Sequence, residues 1–400
     1  MRVSTVRAVN RLTARWAGAL PPDGEGTVLS ATGVWPLLAF LADGAGGPAR
    51  GELEEALGMA AGPAADAARE LLAGLARIRG VGSAVGLWTR PRVALNDAWA
   101  AGLPDAALGR LGADDKANQR LLDAWAAERT GGLIPRMPVA VNEETELVLA
   151  AAQAVRTSWL RPFREGGMLP ENGPWAGREL VALHRTTGLL DRVGVAGTAA
   201  GPLTVLKVLG DTGVDVHLLL GPEDADRGAV LRAGLDVLAG TVTTVPGDRL
   251  PLGEPGPGLR VRNVRSTSRD PYLSVSTSPF SLTATHDLTA LHEVFGLTTA
   301  RTGDDALGHF PGVADNPPLF VQEARQAALA RFTASGFEAA AVTAFGIAGG
   351  SAVPRFPYVV RRVDLDVDRP FGFLCVHRTS RLVLSAGWVR DPVPYVFEEE

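Results

Sequence analysis

The sequence holds a single cysteine, Cys375, in 400 residues. An intrachain disulfide is excluded, so packing alone must hold the fold. A chain without disulfides suits a reducing compartment. Lysine is almost missing as well, occurring only at Lys116 and Lys207, and every other basic side chain is arginine. With the excess of alanine and glycine, this usage suggests a GC-rich bacterial coding background. There is no surplus of positive charge, the formal net charge being -5. Nucleic-acid binding through phosphate neutralisation therefore has little support. No uninterrupted apolar run approaches the roughly 20 residues needed to span a bilayer. The opening "MRVSTVRAVNRLTARWAGAL" scatters arginines through what a secretory leader would keep apolar. A cytoplasmic location with no membrane attachment is the expectation.

Patterns that carry chemistry are also missing. His184, His217, His286, His292, His309 and His377 form no HExxH and no pair four apart on a helix. They read as surface or capping groups, with His286 and His292 bracketing one helix. No GxSxG occurs, and "GVGSAVG" lacks the GxGxxG spacing and reads as a close-packed strand. "DLDVD", Asp364 to Asp368, alternates like a strand with one wet face and lacks the turn glycine and distal glutamate of a calcium loop. Cys375 sits in "FGFLCVH", an apolar strand in which a free thiol acts as a small hydrophobe. The chain thus reads as a non-enzyme with no catalytic group, no metal and no cofactor.

What is present describes a globular protein, with 46% hydrophobic and 21% charged residues. The first third predicts helices in "VNRLTARWAGAL", "TGVWPLLAFLADGA", "ARGELEEALGM", "PAADAARELLAGLARI" and "QRLLDAWAAERTGGLI". Gly58 should stop the third of these, and Gly131 with Gly132 the last. "GSAVGLWT" and "TELVLAAAQAV" predict buried strands. Beyond about residue 170 short strands dominate. "EDADRGAVLRAGLDVLAG" and "HDLTALHEVFGL" are predicted helices among them, and "HRTSR" a hairpin turn near the end. Helices first and strands later, without βαβ alternation, predict an α+β fold with antiparallel sheets.

One stretch is odd. "ASGFEAAAVTAF", Ala334 to Phe345, is helical by propensity, yet it is flanked by glycines and has no charged face. It reads equally as a strand of small residues able to slip between existing strands. Some 30 residues after its glycine come "VDRPFGF", containing Asp368, Arg369, Pro370 and Phe371, and then "LVLSAGWVRDP". This combination resembles the serpin family. Upstream, in the family's order, lie "TELVLAAAQAVRTSWLRPF" with Trp159, Pro162 and Phe163, "SPFSLTATHDLTALHEVFGL" and "HFPGV". The resemblance covers nearly the whole chain, residues 1–400, as one serpin domain. It implies N-terminal helices, three mostly antiparallel sheets and an exposed reactive-centre loop at about 334–360.

The resemblance further implies inhibition of a serine protease. The protease cleaves the loop, and the hinge Gly336, Phe337, Glu338, Ala339, Ala340, Ala341, Val342 and Thr343 enters a central sheet as a new strand. In that strand Phe337, Ala339, Ala341 and Thr343 would face inward and Glu338, Ala340, Val342 and Ala344 outward. Counting about fifteen residues from Gly336, the length of such a strand, puts the bond at Gly350–Ser351. That site suits a subtilisin-like or elastase-like protease. Arg355–Phe356, in "VPRF", is a rival for a trypsin-like one. The protein is expected to be a monomer. Some positions depart from the family's pattern. Ala334 replaces an acidic residue, and Phe337 replaces a small hydroxyl residue whose inward position would then cost about 1 to 3 kcal/mol of overpacking on entry. Ala151 and Gln326 replace an asparagine and a histidine, and this should strip polar groups from the point of insertion. A non-inhibitory serpin acting as a binding or carrier protein, or as a protease substrate, is the alternative reading.

Overall fold

The computed structural model describes residues 1–104, 108–303, 308–314, 316–337 and 357–395. The chain opens with α1 (Val3–Gly18), which buries Val6, Val9, Leu12 and Trp16 along one stripe. After β1 (Thr27–Leu29), Ser30 caps α2 (Ala31–Gly44), its Oγ accepting from the Gly33 N–H at 3.3 Å. Then come α3 (Gly47–Leu57), α4 (Ala61–Leu75), β2 (Val81–Thr89), α5 (Asp97–Ala100), β3 (Leu108–Arg110) and α6 (Asp115–Thr130). The stops of α3 and α6 fall where the sequence puts them. Gly58 (φ 70°) and Gly131 (φ 61°) take left-handed conformations that are strained for any residue with a Cβ.

The rest is mainly strands: β4 (Leu147–Val155), β5 (Thr157–Ser158), β6 (Arg164–Met168), β7 (Leu180–Thr187), β8 (Val193–Thr198), β9 (Gly201–Leu209) and β10 (Val214–Leu220). Beyond α7 (Arg227–Ala239) follow β11 (Thr244–Pro246), β12 (Leu259–Ser266), β13 (Tyr272–Thr277) and β14 (Phe280–Asp287). After α8 (His292–Phe295) the chain closes with β15 (Arg325–Phe332), β16 (Gly336–Phe337), β17 (Tyr358–Asp366), β18 (Phe371–His377) and β19 (Leu382–Val389). The helix read into "HDLTALHEVFGL" shrinks to the four residues of α8. Its first residues end β14 instead, and the Asp287 carboxylate accepts from the Thr289 N–H at 2.9 Å and the Ala290 N–H at 3.2 Å. This Asx turn competes with the helix. His286 and His292 therefore do not bracket a helix. His309, expected at the surface, is 6% exposed and bonded to the Thr302 carbonyl at 2.8 Å.

Four hydrogen-bonded sheets result among the described residues. A seven-stranded sheet runs β1-β19-β18-β10-β9-β8-β11 and a five-stranded one β12-β17-β13-β7-β6. A four-stranded sheet, β14-β15-β16-β5, faces a three-stranded one, β3-β2-β4. Their strand pairs are antiparallel except β2 with β3 and β13 with β17, so the α+β class holds. There are four sheets where three were expected because one is parted. A single residue, Arg156, separates β4 from β5, and β5 pairs with β16 in the opposite half. The two halves are thus joined by strand pairing at one end, and no further strand pairing joins them among the described residues.

Strand alternation splits the core around β4. Val148 and Ala150 pack beneath α6 with Leu122 and Ala126, while Leu147, Leu149 and Ala151 point the other way toward the main core. Asp364 departs from the wet-face expectation: it is 8% exposed and bound by the Arg362 Nε at 2.6 Å and the Arg262 Nη2 at 3.2 Å.

Candidate functional site

The site is a slot between β4 and β15. β4 pairs with β2 on one edge and β15 pairs with β14 on one edge, but β4 and β15 do not pair with each other at any described residue. Between them lies an apolar cleft of about 190 Å³, with Leu37, Leu41, Leu147, Leu149 and Phe310 among its walls. Leu147, Leu149, Ala151 and Gln153 are only half-buried, whereas Val155, Thr157 and Trp159 further along the same face are buried. The exposure starts where the partner strand ends. At the lower end two contacts cross the gap: Gln322 Nε2 donates to Glu144 Oε2 at 3.0 Å, and the Ala140 N–H to Glu323 Oε2 at 3.2 Å.

The hinge stands at the head of this slot. Gly336 and Phe337 form β16, with Phe337 opposite both Phe332 and Thr157. The turn before it is tied down. The Trp159 N–H donates to the Ser335 carbonyl at 2.9 Å, the Phe163 N–H to Ala334 at 2.8 Å, and Trp159 Nε1 to Thr333 at 2.9 Å. The Phe337 side chain is 2% exposed. Its ring lies 6.2 Å from Phe373, which stacks on Phe280 at 4.9 Å. Phe280 stacks in turn on Phe332 at 5.4 Å and meets the edge of Phe371 at 6.0 Å. The overpacking expected of Phe337 is therefore corrected. This aromatic cluster houses the ring without a clash.

The floor of the slot also corrects the expectation that Ala151 and Gln326 leave it without polar groups. Gln326 clasps the Ser30 main chain from both sides: its Oε1 accepts from the Ser30 N–H at 2.9 Å and its Nε2 donates to the Ser30 carbonyl at 2.7 Å. The Ser30 hydroxyl donates to the Leu384 carbonyl at 2.7 Å and lies 2.8 Å from the Gln153 amide. Gln153 Nε2 is buried without a partner among the described residues. One serine thus links both walls of the slot to β19, and an amide donor is left over between them.

The other predicted residues fall in two groups. Asp368 and Arg369 form a half-buried ion pair, Nε to Oδ1 at 2.7 Å, that keeps the guanidinium charged. With Pro370 they lead into β18, whose Phe371 is fully buried beside the hinge's cluster. Hinge and signature strand, 31 positions apart from Gly336 to Val367, meet in one aromatic core. Glu338, Ala339, Ala340, Ala341, Val342, Thr343, Gly350, Ser351, Arg355 and Phe356 lie outside the described residues. Sequence reasoning missed Ser30 and Gln153. The N-cap position of Ser30 was a readable signal, but its partners lie about 120 to 350 residues away.

Comparison with known proteins decides the family. The sequence matches the family model described as "Serpin (serine protease inhibitor)" over residues 7–171 and 261–392. The chain belongs to the serpin family. Among curated proteins, the "Putative serpin-Z6C" of Oryza sativa subsp. japonica is 29% identical over 428 aligned positions, covering 97% of this chain and 95% of the rice protein. This relative is a plant protein, so the bacterial attribution gains no support. Among solved structures, the thermophilic serpin tengpin in its native state superposes with TM-score 0.73 at 14% identity, covering 97% of this chain and 94% of tengpin. Human thyroxine-binding globulin complexed with its hormone gives 0.70 at 16% identity, covering 98% of each chain. At these identities the two structures establish the serpin fold. No helix among the described residues is long and apolar enough to cross a membrane.

Proposed function

We propose that the chain inhibits a serine protease by trapping it, with the β4/β15 slot receiving the cleaved loop. One observation carries the reading. Two neighbouring strands each leave an edge unpaired among the described residues over an apolar cleft, and Gly336 and Phe337 are already in register at its head. The protease's serine Oγ attacks the Gly350 carbonyl, the bond to the Ser351 nitrogen breaks, and the chain up to Gly350 stays esterified to the protease. The hinge residues Glu338 to Thr343 then enter the slot and draw the acyl-enzyme along. A strand entering here forms ladders with both walls, on the order of ten hydrogen bonds each contributing about 0.5 to 1.5 kcal/mol. Water reaching the ester first would release a cleaved, non-inhibitory product instead. The walls are tied across the slot by Ser30 and by the Glu144 and Glu323 bridges, and the bridges must part before a strand enters, so the uncleaved form is kept by a barrier.

The fold likeness to thyroxine-binding globulin, solved with thyroxine, favours a second reading as a carrier that holds an apolar ligand. Incubation with subtilisin, elastase and trypsin separately, read on denaturing gels, tests the first. A denaturant-stable complex is expected with a protease that cuts at Gly350. The mass of the released C-terminal peptide distinguishes Gly350–Ser351 from Arg355–Phe356. Clean cleavage by each protease without a complex would overturn trapping of these enzymes and leave the carrier reading.

A further inference from the structure

We propose that the guanidinium groups of Arg161, Arg185 and Arg192 form a binding site for a doubly charged tetrahedral oxyanion, of the phosphate or sulfate class, at the end of β7. The site lies outside the β4/β15 slot, and it stands whether or not a protease is trapped there. It answers a charge that the fold encloses and leaves without a counter-charge among the described residues.

Strand alternation exposes the anomaly. Arg185 stands opposite Val275 and two positions from both Leu183 and Thr187, and none of these three neighbours is more than 5% exposed. Residues two apart share a face, so an arginine occupies the inward face of the five-stranded sheet. Its guanidinium lies over the Phe163 ring, 4.2 Å from the centroid. Nη1 donates to the Arg161 carbonyl at 3.1 Å, the one side-chain hydrogen bond of Arg185 among the described residues. Nε is buried and donates to none of them. The Nε–Nη2 edge is the fork that matches two oxygens of one anion, and no described residue accepts from it.

Two more guanidinium groups gather at the same place. Arg161 Nη1 donates to Thr187 Oγ1 at 3.1 Å, which ties the turn after β5 to the end of β7. The Leu189 N–H donates to that same oxygen at 3.2 Å and leads into a 3-10 turn, Leu190–Arg192, that carries the third arginine. Burial, then Arg161 and Arg192, push Arg185 down to about 10, so the three charges are felt together. Neither Arg161 nor Arg185 is ion-paired among the described residues, and Arg192 has only Asp191, at 3.4 Å. Three cations against one carboxylate leave two positive charges. Arginine cannot shed its proton to escape enclosure, and an enclosed charge is tolerated when it is paired. A dianion supplies both missing charges, and its oxygens suit forks arriving from different sides. The Phe163 N–H holds the Ala334 carbonyl at 2.8 Å, so an anion clamping Arg185 over the Phe163 ring also steadies the turn before β16.

The test is calorimetric titration of the full-length, uncleaved protein with sodium phosphate and, separately, sodium sulfate, chloride holding the ionic strength constant. Thermal unfolding in the same solutions gives a second reading. Each dianion is expected to fill one saturable site and to raise the midpoint by roughly 2 to 4 °C at one hundred times its dissociation constant. Arg185→Gln should abolish the site. Arg161→Gln, at an exposed position, should weaken it by about tenfold with the fold retained, and it carries the test alone should Arg185→Gln fail to fold. Glycerol phosphate in a further arm distinguishes the sources. Binding as tight as that of phosphate assigns an esterified oxyanion, weaker binding assigns the free ion, and both uphold the site. No saturable binding by wild type would overturn the proposal. So would a midpoint that climbs linearly and equally in wild type and variants, which is the general exclusion of such ions from protein surfaces. Affinity unchanged by either substitution would place the anion elsewhere and overturn it too. Binding of a sulfated oligosaccharide with none of phosphate or sulfate would replace the site by an extended polyanion surface, again against the proposal.

Discussion

The seven-stranded sheet and the slot are built from the same kind of strand and end in opposite states. In the former, β18 pairs with β10 and β19 on its two edges, and all eight residues of β19 are buried. Cys375 is so enclosed there that burial pushes its thiol well above the ordinary range, leaving an inert hydrophobe. In the latter, β4 and β15 turn toward each other edges that are unpaired among the described residues, and the inward residues of β4 are half-buried only where the gap opens. Open edges invite strand addition, and proteins ordinarily cover them. Here the cleft between the two edges is lined by the 134–140 segment and by α2.

That contrast can be broken or sharpened by substitution. Phe373→Ala, in the finished sheet, should lower unfolding free energy by about 3 to 5 kcal/mol both before and after loop cleavage. A loss confined to one state would dissolve the distinction. Asp215, 3% exposed, receives the Arg378 Nε at 2.8 Å and the Gly210 N–H at 3.1 Å. Asp215→Ala should therefore cost about 2 to 3 kcal/mol in denaturant unfolding, reduced by the partial exposure of its arginine. Leu149→Ala, on the slot wall, should cost about 1 to 2 kcal/mol uncleaved and more once the loop is cut, because only then is its side chain fully enclosed. Equal costs in the two forms would mean that the slot never fills. Ser30→Ala removes the α2 cap together with the tie between the walls and β19, at about 1 kcal/mol, and should hasten loss of the uncleaved form on mild heating.

The effect that is smallest at neutral pH, and grows only in acid, is the titration of one histidine. Burial, then Lys207 on the neighbouring strand, hold His217 down to about 4 against the pull of Asp215. The ring stays neutral in the folded chain while the unfolded chain protonates near 6.5. Folding is therefore most stable above that value, weakens as pH falls below it, and stops weakening near pH 4. His217→Gln should flatten this slope equally in cleaved and uncleaved protein, since β10 belongs to the finished sheet. A slope flattened in one form only would tie His217 to insertion.

Much of the fold was legible where the determinants are local. Gly58 and Gly131 end their helices by backbone conformation, and β18, its turn and β19 follow from apolar runs around "HRTSR". α8 was misread because the Asp287 side chain offers the backbone an alternative that propensity does not weigh. The site was legible by resemblance, but its state was not. "LVLAAAQAV" reads as a buried strand whether or not one edge has a partner, since pairing depends on a strand some 170 residues later. Phe337 and Gln326 read as liabilities in the sequence for the same reason. The cavity for the first is made by Phe280, Phe332 and Phe373, and the partner of the second is Ser30, all distant in sequence.

The most direct measurement is amide hydrogen exchange over residues 147–155 and 325–332 in uncleaved and loop-cleaved protein. Insertion should bring new protection to both stretches after cleavage, with little change in 371–389, where the sheet is already complete. Unchanged exchange at both walls after a confirmed cut between Gly350 and Ser351 would contradict the claim that the slot receives the loop.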